Sequence, residues 1–155
     1  MAFELPPDLI SNREKIADPQ AFAAEHAAAS WLYLVGDEFA SMEGGMSYAQ
    51  VQAAVPRSLR VISDPPRELT LELARQHVAA LDELPRPTLI TCRAGPRSSA
   101  VAYVYAGLRA AASTQDVLAA AERAQAPFVA QPALKAWVAS TLDALRAEQG
   151  DAAVR

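Results

Sequence analysis

Cys92 is the only cysteine in the chain, and it opens the stretch Cys92-Arg93-Ala94-Gly95-Pro96-Arg97-Ser98. A thiolate is a strong nucleophile, and an arginine can grip an oxyanion with two parallel hydrogen bonds. The short apolar run 88–91, "TLIT", precedes the cysteine, and an apolar stretch follows Ser98. The order is therefore strand, cysteine, glycine-containing loop, arginine, helix. Such a loop turns successive backbone N–H groups toward one centre, and the helix adds positive potential at the same point. A negative sulfur at Cys92 would be stabilised there without a neighbouring histidine. In this reading Cys92 is the nucleophile and Arg97 grips the anion. Arg93, Ala94, Gly95 and Pro96 form the binding loop, and Ser98 donates its hydroxyl to the sulfur.

The elements around the loop follow from periodicity and punctuation. Asp18 caps a helix with Pro19 at its first position, and residues 31–35 read as a buried strand stopped by Gly36. Residues 37–47 form a loop, and Ser47 opens a helix that Pro56 ends. Residues 58–63 are a second strand, followed by the rigid turn "DPPREL". Over 69–84, Leu71, Ala74, Val78 and Leu81 share one helix face, with His77 at its edge and assigned to the surface. Residues 98–108 are apolar nearly all round, which predicts a helix buried on most sides, with Tyr103 and Tyr105 packing. Only helices follow. Ser113 and Asp116 mark one start, Pro127 and Pro132 bracket a turn, and Leu134, Trp137, Val138, Leu142 and Leu145 form a core stripe. The last eight residues read as a frayed end. Strands alternating with helices predict an α/β layer with a mainly parallel sheet, and ligands bind at the carboxyl ends of such strands.

Composition narrows the function classes. The 155 residues suit one domain over 1–155, with an ordered core at about 8–146, and 52% of them are hydrophobic. The net charge of -4, the absence of a basic run and the presence of only Lys15 and Lys135 argue against nucleic acid and against an anionic membrane surface. One cysteine excludes an internal disulfide and a cysteine-cluster metal site, and His26 and His77 are too scattered to be ligands. Neither a metal nor a cofactor is expected. The start of the chain lacks a signal-peptide pattern and no apolar run is long enough for a bilayer, so a cytoplasmic setting is expected.

The loop "CRAGPRS" resembles that of rhodanese-type sulfurtransferases, Cys-Arg-x-Gly-x-Arg-Ser. It is also similar to the loop of cysteine-dependent phosphatases, which place five residues between cysteine and arginine and usually a histidine before the cysteine. Here four intervene and Thr91 precedes. The purely helical part after the loop resembles protein tyrosine and dual-specificity phosphatases. A phosphatase-like body with a rhodanese-length loop resembles the bacterial phosphatase-like domain family of beta-lactamase-hydrolase-like proteins, over about residues 11–145. That family commonly has Ser and Thr where this loop has Ala94 and Pro96, and "VGDEFAS" lacks the family's Asn-Leu-Arg. The resemblance implies a three-layer protein-tyrosine-phosphatase-like fold. It also implies a general acid on a separate loop. Asp64 before Pro65-Pro66 is the best placed candidate, ahead of Asp37 and Glu38.

Loop length then divides the chemistry. A phosphoryl group presents three oxygens that must be held during in-line attack. A ring shorter by one residue, with Pro96 lacking an N–H, favours a persulfide on Cys92 over a tetrahedral dianion. The preferred reading is sulfur transfer from a small anionic donor such as thiosulfate. Phosphate-ester hydrolysis through a Cys92 phosphocysteine is the alternative. A relic that binds an anion or a protein without turnover is the third.

Overall fold

The computed structural model describes residues 3–154, with side chains to residue 149. Four strands, β1 (Leu9–Ser11), β2 (Ser30–Tyr33), β3 (Arg57–Arg60) and β4 (Thr88–Thr91), form one parallel sheet in the order β1-β4-β2-β3. The expected α/β, mainly parallel, fold is therefore present. All four residues of β2 and of β4 are buried, as befits central strands covered on both faces. Their polar members pair inside the sheet: Ser30 Oγ lies 2.9 Å from Thr88 Oγ1, and Trp31 Nε1–H donates to Thr91 Oγ1 at 2.8 Å.

Six helices complete the layers: α1 (Pro19–Glu25), α2 (Tyr48–Ala54), α3 (Leu71–Glu83), α4 (Pro96–Arg109), α5 (Thr114–Arg123) and α6 (Pro132–Val154). Asp18 caps α1 through the amides of Gln20 and Ala21, and Ser47 with Gln50 closes a capping box on α2. Helix α1 packs on α2, which lies against β2 and β3, while α4 lies against β4 and β1 inside a ring of α3, α5 and α6. Residues 98–108 are all buried, as the all-round apolar pattern predicts. Gly107 lets α5 approach, since a Cβ there would stand 2.5 Å from Val117 Cγ2. On α6 the stripe of Leu134, Val138, Leu142 and Leu145 is buried, with Trp137 half-buried beside it.

Four readings are corrected. Strand β1 is too short, at three residues, to give a periodic signal, and the sequence missed it. Helix α4 begins at Pro96 rather than Ser98, because proline suits the first helical turn. Helix α6 runs on to Val154, so the end read as frayed is helical as far as the structure describes it. His77 is buried, at 2% exposure, not on the surface. The inward face of α3 runs through Ala74, His77 and Leu81, about one residue round from the expected stripe.

Burial alone pushes the His77 pKa down to about 4 from its ordinary 6.5. The folded chain thus refuses a proton that the unfolded chain accepts. Stability from this group is complete above about pH 6.5 and is lost as the pH falls toward 4. The loss should reach about 3 kcal/mol. Urea unfolding at stepped pH should show it, and His77→Asn should flatten that part of the profile. An equal slope in the variant would assign the acid sensitivity to other groups.

Candidate active site

Strand β4 delivers Cys92 to the carboxyl edge of the sheet, where the chain turns into α4. Two backbone amides point at the sulfur: Gly95 N–H at 3.1 Å and Ser98 N–H at 3.3 Å. Gly95 makes this turn with φ of 118°, a conformation that side chains disfavour, and a Cβ there would stand 2.5 Å from the Asn12 carbonyl oxygen. The N-terminus of the fourteen-residue α4 faces the same point and favours negative charge there.

Asn12, which the sequence reading did not single out, holds the loop in place. It follows β1 directly and is 2% exposed. Its Oδ1 accepts from the Cys92 amide at 3.1 Å, and its Nδ2–H donates to the Cys92 carbonyl at 3.1 Å. The side chain thereby replaces the next rung of the β1–β4 ladder, whose last register pair is Ser11 and Ile90. Ser98 Oγ–H donates to Asn12 Oδ1 at 2.7 Å and sits 3.4 Å from Cys92 Sγ. The expected hydroxyl bond to sulfur is therefore directed at Asn12, and the sulfur receives the Ser98 amide instead.

Asp64, Pro65, Cys92, Arg93, Ala94, Pro96, Arg97 and Gln131 line one cavity of about 160 Å³. Gly95 and Ser98 sit beneath it. Among the described residues, no protein acceptor meets the backbone amides of Arg93, Ala94 and Arg97. Pro96, in the first turn of α4, costs the helix no hydrogen bond but brings no N–H to the nest. Arg97 Nη1–H donates to the carbonyls of Ser63 and Arg67, leaving Nε and Nη2 without a protein partner among the described residues. Burial draws the Arg97 pKa below its ordinary value, against the pull of Asp64 and Cys92, and the group remains a cation. His77 Nε2 lies 2.7 Å from Ser63 Oγ, so this buried histidine braces the residue whose carbonyl holds Arg97.

Asp64 is fully buried and both of its oxygens are engaged. Oδ1 accepts from the Gly36 amide at 3.0 Å and from Arg67 Nη1 at 2.9 Å. Oδ2 accepts from Arg93 Nε at 2.9 Å and lies 2.6 Å from Arg93 Nη2. Arg93 is thus turned to Asp64, and its guanidinium carbon lies 5.7 Å from the Phe39 ring centroid. Asp37 pairs with Arg60 and Glu38 with Arg67, and neither lines the cavity. The sequence also missed Ser63, Arg67 and Gln131, which lie 25 to 39 residues from Cys92 and carry no local motif. Among the described residues, no group of three metal-ligating side chains occurs.

Removing the Asn12 side chain leaves a buried N–H and a buried C=O unpaired. Asn12→Ala should lose about 2 kcal/mol or more. Gly95→Ala should lose a comparable amount through strain at positive φ. Thermal unfolding checks both, and an Asn12→Ala melting temperature equal to the parent's would refute the bracing role.

Comparison with known proteins gives no matching protein-family model and no matching curated protein. Solved structures do match. A putative phosphatase from Neisseria meningitidis Z2491 superposes with a TM-score of 0.66 at 16% identity, covering 90% of this chain and 97% of its own. A mutant form of Tk-PTP gives 0.69 at 16% identity, covering 91% and 93%. PTPMT1, solved in complex with PI(5)P, gives 0.64 at 14% identity, covering 95% and 97%. The chain thus has a protein-tyrosine-phosphatase-like fold, as the helical part after the loop implied.

Proposed function

We propose that the protein is a cysteine-dependent phosphatase acting on small phosphate monoesters. The observation that carries this reading is the set of free donors beside Cys92: among the described residues, the amides of Arg93, Ala94 and Arg97, together with Arg97 Nε and Nη2, have no protein acceptor. Three amides match the three oxygens of a phosphoryl group, so the short loop does not leave that group under-held. The fold supports the same choice and reverses the preference for sulfur transfer drawn from loop length. The narrower assignment, to the phosphatase-like domain of beta-lactamase-hydrolase-like proteins, rests on this fold carrying the loop "CRAGPRS".

In the proposed reaction Cys92 Sγ attacks phosphorus in line. The S–P bond forms as the P–O bond to the leaving group breaks, and the leaving oxygen departs as an oxyanion that takes its proton from water. Water then attacks the phosphocysteine, releasing phosphate and restoring the thiolate. Backbone amides and Arg97 hold the equatorial oxygens and the charge that shifts among them. The amides of Gly95 and Ser98 hold the sulfur as anion before attack and as leaving group afterwards. Asp64 accepts from three different residues, and we assign it to holding Arg93 and Arg67 rather than to delivering the leaving-group proton.

Phosphate release from aryl phosphates tests the reading. Cys92→Ser should abolish turnover, and Arg97→Lys, which loses the planar fork, should lower kcat/KM by about 10²–10³-fold. A protein that releases no phosphate but gains one sulfur atom from thiosulfate, discharged by cyanide, would establish sulfur transfer instead. That second reading has one observation in its favour: two amides already converge on the sulfur itself.

Leaving-group dependence tests Asp64. Asp64→Asn should slow nitrophenyl and phenyl phosphate by similar factors, because it disturbs Arg93 and Arg67 for both. A much larger loss on phenyl phosphate, whose leaving group needs the proton more, would make Asp64 the general acid.

A further inference from the structure

We infer that the cavity recognises a single phosphoryl group on an uncharged body and gains no affinity from further phosphates on the ligand. The phosphate chemistry rests on the phosphatase reading above; the selectivity rests on how the charges at the mouth are paired. Arg93, Arg97 and Asp64 line the cavity, and Arg67 and Glu38 join them through Asp64. Arg93 is held by Asp64 Oδ2, by the Pro65 carbonyl at 3.1 Å and by the Phe39 face. Arg67 is held by Asp64 Oδ1 at 2.9 Å and by Glu38 Oε2 at 3.1 Å. Of these three arginines, Arg97 alone bonds neutral carbonyls, so its charge is the one left over for a ligand. Arg13, whose main chain abuts Gly95, also bonds neutral carbonyls, those of Ala124 and Gln125, but does not line the cavity. Arg60 pairs with Asp37 at 2.8 Å.

The rest of the wall is uncharged: Pro65, Ala94, Pro96 and the Gln131 amide. A first phosphoryl group fills the nest and meets Arg97. A second would meet proline, alanine and an amide. To gain a cation it must draw Arg93 away from Asp64, whose side chain is 1% exposed, and the buried Oδ2 would lose its partner. The substrate that fits is the monophosphate of a neutral alcohol or phenol.

Calorimetric titration of the Cys92→Ser protein with inorganic phosphate and with tripolyphosphate reads this directly. The two should bind with similar affinity. Tripolyphosphate bound about tenfold or more tightly than phosphate would overturn the inference. Glu38→Gln in the same background removes one partner of Arg67 and should raise the ratio of tripolyphosphate to phosphate affinity. An unchanged ratio would overturn charge pairing as the cause. Turnover of phenyl phosphate by the unaltered protein separates the two claims. Similar affinities without turnover sink the phosphatase reading and leave the selectivity standing. Turnover with tripolyphosphate preference sinks the selectivity alone, and failure of both anions to bind sinks both.

Discussion

The loop geometry depends on one side chain. Asn12 bonds both the amide and the carbonyl of Cys92, so the cysteine is fixed as though the β1–β4 ladder ran one rung further. Its Oδ1 also takes the Ser98 hydroxyl, which ties the first turn of α4 to the same point. The Asn12 carbonyl lies where any Cβ on Gly95 would fall, so the glycine and the asparagine are two sides of one packing constraint. Loosening Asn12 therefore frees the sulfur, its two amides and the helix start together. A nest of backbone donors is useful only if its atoms do not move when charge arrives.

Electrostatic order is imposed from the opposite wall. Asp64, at the turn after β3, takes up Arg93 from the loop and Arg67 from its own turn, while the Gly36 amide after β2 closes its remaining position. Segments from three strand ends thus meet on one buried carboxylate. The same pairing ties two guanidiniums to carboxylates and leaves Arg97 on neutral carbonyls, braced through Ser63 by His77. Of the arginines at this end of the sheet, Arg97 lines the cavity without a carboxylate partner among the described residues.

Much of this is legible in the sequence. Cys92, the tight glycine, Arg97 and the helix start form a local pattern, and local patterns survive folding because their geometry is set within a few residues. The all-round apolar stretch announced the central helix α4, and the purely helical part after it implied the phosphatase-like fold. The aspartate cap of α1 and the serine caps of α2 and α5 are likewise written in adjacent residues. The sequence-based preference for sulfur over phosphoryl chemistry was not of this kind. It counted loop residues without knowing which amides were already used.

Tertiary structure decided the rest, for identifiable physical reasons. A three-residue strand has no period, so β1 and the asparagine after it stayed hidden until β4 lay beside them. His77 looked peripheral because a helix face is uncertain by about one residue, and only packing fixed its rotation. Asp64 looked like a turn former or an acid, and its role depends on two guanidiniums, one of them 29 residues away. Sequence determines which groups can react, since that is covalent chemistry and short-range geometry. The fold decides which of them are already spoken for, since pairing is settled between residues that only packing brings together.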